Sequence, residues 1–190
     1  MYRKIVLLII LSVLFLQCKK DEPEKERYPY LIEAHQVGKL KKGTKVHELD
    51  SIFASDSIVK RIGEGDYMFA DEDQYLIYDS IGKHLLTLTP SQQHDIHANI
   101  ENIRIMDARF KTENELNINS SFADIKKHYE ISKIQNTFNN IVVFVNELNA
   151  YFTIDKKQLP EHMRFDMNAK IDTTTIPDTA KIKYYMLGWE

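Results

Sequence analysis

The chain has 190 residues, with 25 basic and 28 acidic side chains and a formal net charge of −3. This weakly acidic composition lacks the excess of lysine and arginine that a nucleic-acid-binding surface needs, so nucleic acid is not an expected partner. The chain holds one cysteine, Cys18, which excludes an intramolecular disulfide. Stability must therefore come from a hydrophobic core.

The first 17 residues predict a secretory signal peptide. Arg3 and Lys4 precede an apolar run over residues 5–16. As a helix this run is about 18 Å long, whereas the hydrocarbon core of a bilayer is about 30 Å thick. A basic start followed by so short an apolar run is typical of a signal peptide and not of a transmembrane helix.

The only cysteine stands directly after this segment. With Cys18 in that position, the segment resembles the signal of Bacteroidota-type bacterial lipoproteins. The resemblance implies that Cys18 receives acyl chains and becomes the mature N-terminus, with residues 18–30 as an acylated, charged tether. It also implies a lipoprotein of the outer membrane, held at the membrane through those chains.

The start of the tether resembles the surface-export signal of the same lipoproteins, in which a lysine and two acidic residues follow the acylated cysteine. Lys20, Asp21 and Glu22 occupy the corresponding positions. The alternative is an ordinary charged linker, which has a similar composition. The sequence leaves open whether the protein is exposed at the cell surface or faces the periplasm.

Residues 31–190 predict one folded domain with two related halves, at about 38–90 and 100–160. Each half contains a segment with apolar residues spaced i, i+3, i+7, which predicts a short amphipathic helix that starts at a hydroxyl N-cap. The second copy follows the first at an offset of 76 residues. The apolar positions are Val46, Leu49 and Phe53 in the first copy and Phe122, Ile125 and Tyr129 in the second.

A β-hairpin is predicted after each helix, over residues 75–88 and 141–154, because β-branched and aromatic residues flank turn-forming residues there. Two more strands are predicted over residues 100–110 and 180–189. The expected fold class is α+β, with an antiparallel sheet, short amphipathic helices and a tandem duplication of a helix-plus-hairpin unit, followed by a C-terminal strand.

The opening of the first helix, KGTKVHEL, and the tandem arrangement over about residues 38–155 resemble the β-lactamase inhibitor protein and BamE-like assembly lipoproteins. What the resemblance implies is an antiparallel sheet that serves as a binding surface, without a catalytic centre. It is a likeness of architecture, and architecture alone does not specify a function.

The sequence contains no G-x-S-x-G, P-loop, H-E-x-x-H or dinucleotide-binding motif, so no catalytic residue and no cofactor are predicted. The nearest candidate for a metal site is His94 and His97, which would share one face of a helix at i, i+3 spacing. A solvated stretch is the alternative. A metal-dependent or other hydrolase that uses these histidines and nearby carboxylates stays as the alternative function.

Five Asp-Ser or Asp-Thr pairs resemble the O-glycosylation motif of Bacteroidota, which is Asp, then Ser or Thr, then an aliphatic residue, methionine or threonine. The alternative is ordinary turn and cap chemistry, in which the same pairs are frequent. One pair, Asp50-Ser51, falls inside a predicted helix, where a glycan fits poorly. The candidate acceptors are Ser80 and Thr179 first, then Ser57 and Thr173.

The C-terminal strand is rich in aromatic residues, and Tyr184, Tyr185 and Trp189 are candidate binding residues. Because side chains alternate along a strand, one of the two tyrosines is expected to face away from the core. Core packing is the alternative for all three.

These features predict a lipid-anchored, extracytoplasmic binding or accessory protein of the cell envelope. The expected partners are the membrane, through Cys18, and an envelope protein or glycan. A structural spacer is a third hypothesis, beside the hydrolase.

Overall fold

A computed structural model describes residues 29–61, 73–167 and 169–189. In this part of the chain the backbone forms strands β1 to β11, numbered in chain order. Their bounds are Ile32–Glu33, Gln36–Val37, Leu40–Lys41, Ser57–Arg61, Gln74–Tyr78, His84–Pro90, Ile100–Ile105, Lys133–Asn136, Asn140–Val145, Ala150–Asp155 and Tyr184–Gly188.

Three short α-helices accompany the strands: α1 (Leu49–Ile52), α2 (Phe122–His128) and α3 (Glu161–Arg164). Single 3₁₀ turns cover Val46–Glu48, Asn146–Leu148 and Lys156–Gln158. Within the described ranges, every helix is too short and too polar to cross a membrane.

Strands β4 to β11 form one eight-stranded antiparallel sheet in the order β4-β5-β6-β7-β11-β10-β9-β8. Each half of this order is a four-stranded meander of consecutive strands. The two meanders join through their last strands, where Tyr185 of β11 pairs with Ile105 of β7 and Leu187 pairs with Ile103. Strands β1 to β3 form a separate three-stranded sheet.

The α+β class is confirmed, and so are both predicted hairpins, β5-β6 and β9-β10. The repeated unit is larger than predicted, because α1 precedes the four strands β4 to β7 and α2 precedes the four strands β8 to β11. Strands β4 and β8, the two edge strands of the large sheet, were not predicted. Edge strands of four or five residues that are largely exposed lack a strong apolar alternation, so their pattern is weak.

The start of α2 follows the predicted chemistry, whereas the start of the first helix does not. Ser121 is the N-cap of α2, and its backbone N–H donates to the Asp124 carboxylate at 2.7 Å. In the first helical segment Lys45 stands at the N-cap instead of Thr44. The Thr44 hydroxyl accepts from the backbone N–H of Lys41 at 3.3 Å and is used in the preceding turn.

The core lies on one face of the eight-stranded sheet. Fully buried side chains from every central strand, such as Leu86, Ile103 and Phe152, belong to a single hydrophobic cluster. Phe122 and Ile125 of α2 and residues of the three-stranded sheet are part of the same cluster. The helices and the small sheet therefore pack against one face of the large sheet.

Arg109 links the start of the described chain to the sheet. Its guanidinium donates to Asp79 at 2.6 Å, to Asp107 at 3.0 Å and to the Tyr30 hydroxyl at 3.1 Å. The hydrogen bond from Arg109 holds the pKa of Asp79 below its usual value. Burial raises the pKa of Asp107, but the hydrogen bonds from Arg109 outweigh it and the net shift is downward.

We expect Arg109→Gln to flatten the acid dependence of stability. A carboxyl whose pKa is lower in the folded than in the unfolded state stabilises the fold above its unfolded pKa, near 4, and this contribution is lost as the pH falls through the folded value. Removing the guanidinium raises the pKa values of Asp79 and Asp107 in the folded state, so less stability is lost when these carboxyls are protonated.

Urea unfolding at about pH 5 and about pH 2.5 measures this effect. Between these conditions the free energy of unfolding should fall less for Arg109→Gln than for the unaltered chain. Arg104→Gln is the matched control, because Arg104 has no carboxylate partner among the described residues. An equal fall for Arg109→Gln and the unaltered chain would contradict the account.

Candidate functional site

The face of the eight-stranded sheet opposite the core is here named the open face. Cross-strand pairs place one continuous row of side chains across all eight strands of this face. Directly opposed residues on neighbouring strands point to the same side of a sheet, so the row is contiguous. Its members are Val59, Leu76, Thr87, Arg104, Met186, Tyr151, Phe144 and Lys133.

Two depressions of about 610 Å³ and about 580 Å³ lie side by side on the open face. Asn102 and Tyr151 line both of them. The Tyr151 hydroxyl donates to the Asn102 side-chain oxygen at 3.0 Å, so this hydrogen bond belongs to both depressions. The open face is thus concave, and one polar contact lies where its two depressions adjoin.

Arg104 occupies the centre of the larger depression. Its guanidinium carbon lies 4.0 Å from the centroid of the Tyr184 ring, a cation–π distance that holds the guanidinium over the aromatic face. Among the described residues no carboxylate pairs with Arg104. Among the described residues that line this depression there is a second arginine, Arg61, and no aspartate or glutamate.

Aromatic residues extend along the open face on both sides of Arg104. Phe144 and Tyr151 stack with ring centroids 5.9 Å apart, and Tyr78 stacks on His84 at 4.6 Å. Burial lowers the pKa of His84, so its imidazole is neutral at neutral pH. The positive charge of the larger depression then comes from its two arginines.

The three predicted aromatic binding residues differ in burial and in environment. Tyr184 lies half-buried on the open face, as one of the two tyrosines was expected to do. Tyr185 is fully buried and burial raises its pKa, while Trp189 is buried with its indole N–H donating to the Ala34 carbonyl at 3.0 Å. The prediction that Tyr185 and Trp189 form a binding surface is therefore wrong.

The predicted metal ligands do not share a helix face. His94 and His97 lie in a turn, and His94 has a positive φ of 58°. Their rings have different neighbours: His94 lies 3.6 Å from the Asp73 carboxylate, and His97 packs against His47 with ring centroids 5.2 Å apart. Throughout the described ranges, no three metal-ligating side chains come together.

The candidate glycosylation acceptors are all exposed. Ser80, Thr173 and Thr179 lie in turns, and Ser57 begins edge strand β4. The carboxylate of Asp79 accepts from the backbone N–H groups of residues 81 and 83, as in turn chemistry. These positions fit both interpretations of the motif, and its use as a glycosylation site stays a prediction.

The lipidation site and the export signal lie outside the described residues. Cys18, Lys20, Asp21 and Glu22 precede residue 29. Acylation and surface export therefore stay predictions from the sequence.

Sequence reasoning missed most of the open face, including Arg104, Asn102 and Tyr151. A local signal was present for Arg104, because it stands between Ile103 and Ile105, which both enter the core. The strand order that brings Met186 and Tyr184 beside it has no comparable local signal.

Comparison with known proteins supports the fold and gives no family. No protein-family model and no curated protein matches this sequence. Among solved structures, the crystal structure of the uncharacterized protein YfeY from Escherichia coli is similar, with a TM-score of 0.53 and 11% sequence identity. The alignment covers 83% of this chain and 99% of that chain. At this identity the likeness shows the fold alone.

Proposed function

We propose that this chain is a lipid-anchored, extracytoplasmic binding protein of the cell envelope that recognises its partner with the open face. The signal-like N-terminus and Cys18 support the anchor. The observation that favours recognition is the concave open face, on which aromatic, methionine and arginine side chains form one contiguous surface. Tyrosine, methionine and arginine are enriched in protein interfaces.

The chemistry of the larger depression favours a partner that presents an anionic group. Arg61 and Arg104 are the charged residues in the described part of its lining, and a guanidinium can donate two parallel hydrogen bonds to an incoming carboxylate. Thr87 and Thr89 add hydroxyl groups beside Arg104. An envelope protein with an exposed acidic side chain meets these requirements, and we propose a protein as the partner.

Affinity recovery from native membranes tests the proposal. The full chain with a C-terminal tag is crosslinked in cells and recovered, in parallel with Cys18→Ala. The proposal expects one envelope protein to be recovered with the unaltered chain and to be reduced with Cys18→Ala, because the anchor concentrates the chain at the membrane. Recovery of no protein above background, or equal recovery by both chains, would count against it.

A further inference from the structure

We infer that a second surface, at one end of the sheet, rests on an anionic lipid bilayer and orients the domain at the membrane. This surface, here named the basal patch, goes beyond partner recognition and rests on the proposed lipid anchor. It forms around a cavity of about 590 Å³ between the β8-β9 turn, the end of β10 and the segment after α3. Its main surface residues are Phe138, Phe165, Met167, Lys157, Arg164 and Lys183.

Exposed aromatic side chains distinguish the basal patch. Phe138 is 76% exposed and Phe165 is 89% exposed, and Met167 beside them is also exposed. Isolated apolar residues are ordinary on a protein surface, but a cluster of three around one cavity marks an interaction site. Phenylalanine side chains surrounded by basic residues are typical of surfaces that insert into the lipid headgroup region.

Basic side chains slightly outnumber acidic ones in and around the patch, which is compatible with an anionic surface. Four basic residues and one acidic residue, Asp155, line the cavity; Lys156 is buried, whereas Lys157, Arg164 and Lys183 reach the surface. Asp155 is paired with Lys183 at 3.3 Å. Glu161 and Asp166 add two exposed carboxylates nearby, so the net positive charge is small. Attraction to anionic headgroups therefore adds to the contact made by the aromatic side chains and does not replace it.

The patch is held in place by hydrogen bonds. The side-chain amide of Asn136 in β8 lies 3.2 Å from the backbone carbonyls of Asp166, Met167 and Ala169. The Arg164 guanidinium donates to the Leu159 carbonyl at 2.8 Å. The exposed Phe165 and Met167 are thereby fixed beside the β8-β9 turn, so they do not have to be ordered when a surface binds.

The topology of the sheet places the basal patch at a defined end. Strand β10 finishes at Asp155 and β11 starts at Tyr184 at this end. Because neighbouring strands are antiparallel, β7 finishes here at Ile105, β6 starts at His84 and β5 finishes at Tyr78. The turn between β5 and β6 is therefore at the same end of the sheet as the patch.

The described chain begins at this end as well. Arg109 contacts both Asp79, which directly follows β5, and Tyr30. The eleven peptide units from Cys18 to Pro29 span about 40 Å at full extension. Strands β6 and β9 are four strand spacings apart in the sheet, a distance of about 19 Å. An acylated Cys18 can therefore lie in the same bilayer surface that the basal patch contacts.

Depth-dependent quenching tests this inference on the full, acylated chain. The chain is reconstituted into vesicles of phosphatidylethanolamine and phosphatidylglycerol that contain a nitroxide-labelled lipid. Phe138→Cys receives a thiol-reactive, polarity-sensitive fluorophore, since the acylated Cys18 does not react. Ile96→Cys is the matched control, because Ile96 is 54% exposed and lies in the β6-β7 connection, at the opposite end of the sheet.

The inference expects blue-shifted emission and quenching by the lipid nitroxide at position 138, and neither at position 96. Replacing phosphatidylglycerol by phosphatidylcholine, or adding Phe165→Ser with Lys157→Glu, should reduce the quenching. Equal quenching at both positions, or none at 138, would overturn the basal patch. An emission shift that grows with the number of chains per vesicle, without quenching by the lipid nitroxide, would mean that the patch contacts a second copy of the chain. This result would also overturn the inference.

The same preparation separates the two proposals. If the chain floats with the vesicles but position 138 is not quenched, the lipid anchor is supported and the basal patch is contradicted. A chain that does not float with the vesicles at all contradicts both.

Discussion

Phe152→Ala is expected to lower the free energy of unfolding by about 3–5 kcal/mol, the usual cost of removing a buried phenylalanine side chain. Phe152 is fully buried in β10, and its ring centroid lies 4.6 Å from that of Tyr185 in β11. The substitution leaves a cavity beside the junction of the two meanders, where neighbouring side chains cannot collapse freely.

Phe138→Ala is the matched control for this prediction. It removes the same atoms from a turn in which the ring is largely exposed, so the free energy of unfolding should change by no more than about 0.5 kcal/mol. Urea unfolding of both variants at neutral pH measures the difference. Similar values for the two variants would mean that the core does not lie on the face of the sheet assigned to it.

Arg104→Ala is expected to weaken partner binding about 30-fold, equivalent to about 2 kcal/mol, without a comparable loss of stability. Truncation removes the central charged group of the larger depression and the cation–π contact with Tyr184. Because Arg104 is only half-buried and lies outside the core, the urea midpoint should stay close to that of the unaltered chain.

Two variants make the Arg104 result specific. Lys127→Ala removes one positive charge from α2, on the core side of the sheet, and should leave partner recovery unchanged. Arg104→Lys keeps the charge and loses the planar guanidinium, so it should recover the partner only in part. Undiminished recovery of the partner by Arg104→Ala would show that Arg104 is not part of the binding surface.

The sequence supports local predictions about this fold better than global ones. The hairpin β9-β10 follows from apolar alternation on both sides of Asn146 to Asn149, and Asn149 indeed has the left-handed conformation, with a φ of 50°. The N-cap at Ser121 is likewise predicted from local residues, namely the Ser121 hydroxyl and the Asp124 carboxylate three residues later. In each case the interactions that decide the conformation lie within a few residues.

The open face is a property of strand order, which local patterns do not determine. Strand β11 inserts between β7 and β10, and this pairing puts Met186 beside Arg104 and Tyr151, which are far apart in the sequence. Alternation correctly indicated that one of Tyr184 and Tyr185 faces outward. Which of the two does so depends on Ile105 and Phe152, the core residues that pair with Tyr185 in the neighbouring strands.

The helix that would align His94 and His97 as candidate metal ligands is absent for a related reason. The metal-site prediction assumed a helix around His94 and His97, where i, i+3 spacing would align the two rings. The positive φ of His94 breaks any such helix, and its backbone N–H donates to the buried Asp73 carboxylate at 2.8 Å instead. That contact spans 21 residues, so its partner could not be identified from the local sequence.

Site-specific photocrosslinking in native membranes tests the central claim most directly, namely that the open face binds the partner. A photoreactive amino acid is placed at Thr87, in the middle of the open face, and separately at Lys127 on α2. The account predicts one crosslinked envelope protein from position 87 and none from position 127. Crosslinks from position 127 with none from position 87 would contradict it and place recognition on the opposite side of the domain.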